Sequence, residues 1–194
     1  MRILRSKDYR RMRWKNGGGE TTEIIVSPDG AALDAFDWRV SMAHVAMDGP
    51  FSLFPGIDRT LAVLDGNGIR LRVNGFGERD LTQTSEPFAF PADAASGADL
   101  IDGSIIDLNV MSRRGVVRHT LSRTILSEPI RIATSGEAIF VLVQGGGARI
   151  EASEIQDTLA DGDSVLLSAG HEDVMMTPVT TLTLYEAVFQ RTNT

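Results

Sequence analysis

Ala62-Val-Leu-Asp-Gly-Asn-Gly-Ile-Arg-Leu71 and Val141-Leu-Val-Gln-Gly-Gly-Gly-Ala-Arg-Ile150 are one short pattern written twice, 79 positions apart. In each, an apolar run meets a glycine-rich turn and continues as an apolar/charged alternation. That is the signature of a β-hairpin, because alternate side chains of a strand face opposite ways and glycine supplies the backbone angles of a tight turn. The pattern extends downstream, where Phe88-Ala-Phe-Pro-Ala92 matches Val165-Leu-Leu-Ser-Ala169 at an offset of 77. A loop shorter by two residues in the second copy accounts for the change. The chain therefore predicts a duplicated β unit.

Working outward, further short β-type runs lie at Thr22–Val26, Asp37–Val45, Leu61–Leu64, Ile69–Val73, Ile105–Met111, Ala138–Val143, Ser164–Leu167 and Thr181–Phe189. Turn chemistry separates them. At Phe54-Pro55-Gly56-Ile57, proline presets φ and glycine accepts the positive φ of a type II turn. Long helical periodicity is scarce, so the expected class is all-β. Gly162-Asp-Ser-Val-Leu-Leu-Ser168-Ala-Gly170 resembles the cupin pattern of Gly, five residues, Pro, one residue, Gly, with Ser168 in place of proline. The resemblance implies two fused cupin-like β-barrels, a bicupin. The approximate halves are 15–115 and 116–190, with the N-terminal segment completing either.

Composition narrows the chemistry. The 194 residues contain no cysteine, which excludes disulfides, thiolate metal sites and a cysteine nucleophile. A formal net charge of −7 disfavours non-specific nucleic-acid binding. Seven of the 19 basic residues nevertheless lie in the first fifteen positions. This arm can meet RNA, an anionic ligand or the body's own acids, or stay solvated. No apolar stretch suits a signal peptide or a membrane helix, so a cytoplasmic protein without a membrane partner is expected.

Most metal-using cupins hold their ion with a His-x-His pair, a downstream glutamate and a third histidine. Counting back from Gly66 puts the glutamate position at Arg59, and Ser52–Ile57, where the pair would fall, holds no histidine. His44, His119 and His171 are isolated in sequence. A guanidinium in place of a ligand carboxylate turns a cation site into an anion site, so the expectation is neither metal nor other cofactor.

Polar residues set at period two supply the remaining candidates. Asp37, Arg39 and Ser41 share one strand face; Asp107 and Asn109 share a face with Ile105 and Met111. Internal pairing of Asp37, Asp58 or Asp107 with Arg39, Arg59 or Arg113 is one account. One arginine left unpaired beside a cavity would instead hold a small carboxylate bidentately. Trp14-Lys15-Asn16-Gly17-Gly18-Gly19 forms either a packed turn or a pocket rim. The candidate ligand-binding set is Arg59, Trp14, Lys15, Asn16, Glu23, Arg39, Ser41, Phe54, Asp58, Asp107, Asn109 and Arg113, with no catalytic residue assigned.

Three blocks together, Trp14–Gly19 with Thr21 and Glu23, Phe36–Arg59, and Asp107-Leu-Asn-Val-Met-Ser-Arg-Arg-Gly115, resemble the HutD/Ves family, associated with histidine utilisation. The resemblance implies a cytoplasmic bicupin, often a homodimer. It points to a regulatory, non-enzymatic protein that binds a small anionic metabolite such as N-formylglutamate or formate. A metal-independent cupin enzyme is the alternative, with Asp48, Asp58 or Glu23 as general base. A partner-binding protein docking through its basic arm is the third reading.

Overall fold

A computed structural model describes residues 1–14, 17–133, 136–153 and 155–192. Among them the only helical piece is a 3-10 turn at Ser6–Asp8, and no helix is long and apolar enough to cross a membrane. Strands begin with β1 (Arg2–Leu4), β2 (Arg10–Arg13), β3 (Gly19–Ser27), β4 (Trp38–Val45), β5 (Gly49–Pro50) and β6 (Ile57–Asp65). They continue with β7 (Ile69–Val73), β8 (Gly77–Leu81), β9 (Phe88–Pro91), β10 (Ser96–Leu100), β11 (Ile105–Arg113) and β12 (Val117–Leu126). The last are β13 (Ile130–Ile132), β14 (Ala138–Gln144), β15 (Ala148–Ala152), β16 (Ile155–Leu159), β17 (Ser164–Ser168), β18 (Val174–Pro178) and β19 (Leu182–Arg191).

The chain divides into two compact units, Arg10–Arg118 and Met1–Tyr9 with His119–Thr194. The first holds a six-stranded sheet, β2-β3-β4-β11-β6-β9, and a four-stranded one, β5-β10-β7-β8. The second holds β1-β17-β14-β19-β12 and β13-β18-β15-β16. Adding eight to each strand number of β4-β11-β6-β9 and β5-β10-β7-β8 reproduces the second unit's order. The duplicated all-β, cupin-like architecture is thus written in the hydrogen bonding. Beyond the shared strands, β2 and β3 extend the large sheet of the first unit, and β1 extends that of the second.

Each unit has its own core. In the first, Ala43, Val45, Leu61 and Val63 of the large sheet pack against Ile69, Leu71, Val73 and Ala98 of the small one. In the second, Ile139, Val141, Val143 and Leu184 meet Ala148, Ile150, Val174 and Met176. The alternation in Ile69-Arg-Leu-Arg-Val73 follows from this geometry, with every second residue buried and the arginines exposed. Strands β6 and β14 lack alternation because both of their faces are buried.

The two copies differ in the register of one ladder. In the first unit Ile106 pairs with Asp65 but Asp107 pairs with Val63, so Leu64 stands out of the ladder as a β-bulge. The corresponding ladder between β14 and β19 runs unbroken from Ala138–Phe189 to Gln144–Thr183. Sequence matching aligns Ala62 with Val141; the bulge makes Leu61 the true counterpart, and Arg59 the counterpart of Ile139. The predicted turn at Pro55-Gly56 is present, with Gly56 at φ 71° and the Ile57 amide donating to the Phe54 carbonyl at 3.2 Å.

Candidate functional site

Four neighbouring strands of the large sheet in the unit Arg10–Arg118 present polar residues in rows. Their registers place Arg39, Met111 and Arg59 side by side across β4, β11 and β6. The next row is Glu23, Ser41, Asn109 and Leu61, and the one after it Thr21, Ala43, Asp107 and Val63. Trp14 and the segment from Pro50 to Phe54 complete the wall, and the result is a cavity of about 380 Å³. Small-molecule sites run from about 300 to 1,000 Å³, so this one suits a compact ligand.

Arg59 dominates the cavity. It is 7% exposed, and its Nε has no hydrogen-bond partner. Its Nη2 donates to the Ser52 carbonyl over a long 3.5 Å. Instead of a carboxylate, three rings surround the guanidinium, with Phe51, Phe54 and Phe90 centroids at 5.6, 5.4 and 5.8 Å. Each such contact contributes about 0.5–2 kcal/mol, against a desolvation cost of several kcal/mol. The aromatic cage therefore offsets part of that cost and leaves Arg59 able to gain from an anion. Burial lowers its pKa to about 10, an effect Asp107 opposes and Arg39 reinforces. It stays charged at neutral pH.

Arg39 is already neutralised. Its Nε donates to Glu23 Oε2 at 2.7 Å and its Nη1 to Ser41 Oγ at 3.1 Å, with both side chains largely buried. Asp107 is 2% exposed and accepts from Asn109 Nδ2 at 2.6 Å. Burial raises its pKa to about 7, against the pull of Arg59, Asn109 and the Ala43 backbone. Trp14 donates through Nε1 to Thr21 Oγ1 at 2.8 Å, which fixes the indole at the cavity wall.

Of the residues singled out from sequence, Arg59, Trp14, Arg39, Ser41, Phe54, Asp107 and Asn109 line the cavity. Glu23 stands behind it as the partner of Arg39. Asp58 and Arg113 do not line it. Asp58 alternates with Arg59 and so points away, pairing with Arg114 at 2.7 Å; Arg113 donates to the Phe36 and Asp34 carbonyls at 2.9 Å each. Lys15 and Asn16 lie outside the described residues. The pairing of Arg39 with Asp37, Asp58 or Asp107 gives way to Glu23, which the hydrogen-bonded neighbourhood of β3 and β4 brings opposite Ser41. Sequence reading missed Phe51 and Ser52 as wall residues, since a loop without alternation carries no facing signal. Asp48, a candidate base, instead accepts from the Leu100 amide at 2.7 Å.

No group of three His, Asp or Glu side chains converges among the described residues. At the matching positions the second unit carries Glu186 as the counterpart of Asn109 but does not repeat Arg59 and Asp107. Its counterparts of Arg59, Asp107 and Met111 are Ile139, Leu184 and Val188, the first two buried within its core.

Against known proteins, the HutD family model matches residues 6–183. An uncharacterised 21.2 kDa protein from the hutC 3' region of Pseudomonas putida is 42% identical over 111 residues, 57% of each chain. Protein Ves of Citrobacter koseri is 42% identical over 103 residues, 52% of each. The match thus spans about half the length of these curated relatives. Among solved structures, a conserved protein of unknown function from Pseudomonas aeruginosa PAO1 superposes with a TM-score of 0.88 at 32% identity, covering 97% of this chain and 98% of that one. HutD from Pseudomonas fluorescens SBW25, in a formate condition, gives 0.82 at 29% identity with 99% of both chains covered. A cupin 2 conserved barrel protein from Leptotrichia buccalis shares the fold, with a TM-score of 0.59 at 10% identity over 92% of this chain and 95% of that one.

Proposed function

Because the chain belongs to the HutD family, associated with histidine utilisation, we propose that it is a non-enzymatic regulatory protein of that process. In this reading it binds a small carboxylate in the cavity of the unit Arg10–Arg118. N-formylglutamate and formate are the leading ligands, and the formate condition of the Pseudomonas fluorescens HutD structure is in keeping with them. One observation carries the proposal: a buried guanidinium, Arg59, that lines the cavity with its Nε lacking a hydrogen-bond partner and no contacting carboxylate among the described residues. An Arg and a carboxylate match in charge and fork geometry, and the low-dielectric wall strengthens their hydrogen bonds.

Calorimetry with formate, N-formylglutamate, urocanate and glutamate tests it. Formate or N-formylglutamate should bind, and Arg59→Ala should lose that affinity by at least about tenfold, the scale of one charged hydrogen bond. Undiminished binding by Arg59→Ala would sink the proposal.

A metal-independent enzyme acting on a small acid is the second reading, favoured by one further observation. Asp107, held near pH 7 by burial, has the proton affinity a general acid or base needs. Turnover of the same four compounds followed by NMR decides between the readings: any product whose formation Asp107→Asn abolishes would establish the enzyme.

A further inference from the structure

We infer that Asp107 makes the cavity take up one proton with each carboxylate it binds, so that the site reads the anion and the proton together. This rests on the reading of the cavity as a carboxylate site. Among the described residues of β3, β4 and β6, the charged groups on the same sheet face as Asp107 are Glu23, Arg39 and Arg59. Glu23 and Arg39 neutralise each other at 2.7 Å. Arg59 and Asp107 remain, one positive and one acidic, lining the same cavity with no ion pair within 4.0 Å between them.

An anion docking on Arg59 therefore enters the cavity that Asp107 also lines, where the two side chains already act on each other electrostatically. If Asp107 stayed ionised, two carboxylates would occupy one cavity with a single unneutralised guanidinium, and the like charges would raise the proton affinity of one of them. A proton on Asp107 removes the conflict. The ligand then faces Arg59 as a neutralised pair, and the Asp107 carboxyl becomes a donor rather than a competing acceptor. Asn109 Nδ2, at 2.6 Å from Oδ1, holds the carboxyl in place in either state. Burial already holds this carboxyl at about 7, so the added proton comes from solution near neutrality at little cost.

Formate is the probe, because it stays ionised throughout the working range. Calorimetry in two buffers of different ionisation enthalpy should count about one proton taken up per formate at about pH 8, falling toward none below about pH 6. Affinity should drop by up to about tenfold per pH unit above neutrality. Asp107→Asn, a neutral isostere, should bind formate without that pH dependence and more tightly than wild type at about pH 8.5. Formate binding with no proton uptake at pH 8 overturns this inference and leaves the carboxylate site standing. An Asp107→Asn protein that keeps the wild-type slope also overturns it. No binding at any pH overturns both. Should the variant fail to fold, the proton count on the wild-type protein decides alone.

Discussion

At the scale of single residues, the cavity is defined by which charges lack a near partner. Arg39, Arg70, Arg72 and Arg114 each hold a carboxylate within 3.0 Å, whereas Arg59 is ringed by Phe51, Phe54 and Phe90. Asp107 is the acidic counterpart, and its burial has a consequence for stability. Its folded pKa lies above that of an unfolded aspartate, so between about pH 4 and 7 the folded state binds the extra proton. Stability from this group is full at low pH and is lost as pH rises through 7. Asp107→Asn should therefore be more stable than wild type in urea at pH 8.5, and the advantage should shrink at pH 5. Asp163 has the opposite sign. Burial pushes it up, but the Ser6 and Ala160 amides and Arg5 more than offset that and hold it below the usual aspartate range. Its contribution is lost as pH falls through that lowered range, so Asp163→Asn should weaken the protein at pH 7 and converge with wild type in acid.

At the scale of elements, the glycine hairpins and the bulge carry most of the information. Gly68 sits at φ 108°, and a Cβ there would come 2.4 Å from the Leu81 carbonyl oxygen, a contact with backbone that cannot yield. Gly75 at φ 82° has open space around it. Gly75→Ala should cost about 1–2 kcal/mol, the strain of a left-handed residue alone, and Gly68→Ala clearly more, measured by urea denaturation. Equal costs would mean that the strand carrying Leu81 shifts to make room. The hairpins were legible because glycine at these sites is a backbone requirement that local sequence must meet. Strand β8 was not: Gly77-Glu-Arg-Asp-Leu81 exposes four of its five residues, so no apolar alternation marks it, and pairing with β7 alone makes it a strand. The bulge at Leu64 was also hidden, since a one-residue insertion into a run buried on both faces leaves the apolar pattern unchanged.

At the scale of the whole molecule, two units are built on one pattern, and the polar cavity described above lies in the unit Arg10–Arg118. The other unit is tied to its own N-terminal segment. Strand β1 pairs with β17, Tyr9 Oη reaches the Gly162 carbonyl and Ser164 Oγ at 2.9 Å, and Arg5 bridges Asp157 and Asp163 at 2.7 and 3.0 Å. Tyr9→Phe leaves those buried groups short of a partner and should cost about 1–3 kcal/mol. Hydrogen exchange should then quicken in β17 and leave β4, β6 and β11 protected; loss of protection in all of them would show that the two cores melt together. By itself the sequence determined the all-β class, the duplication and the glycine turns, because each is a matter of local period, spacing or residue chemistry. Only the tertiary structure decided that Glu23 rather than an aspartate neutralises Arg39, that Asp58 and Arg113 turn away, and that Phe51 and Ser52 join the wall. It also placed the described cavity in the unit Arg10–Arg118. Those outcomes depend on register between strands distant in sequence, and one bulged residue, Leu64, offsets the register that matching the two copies implies.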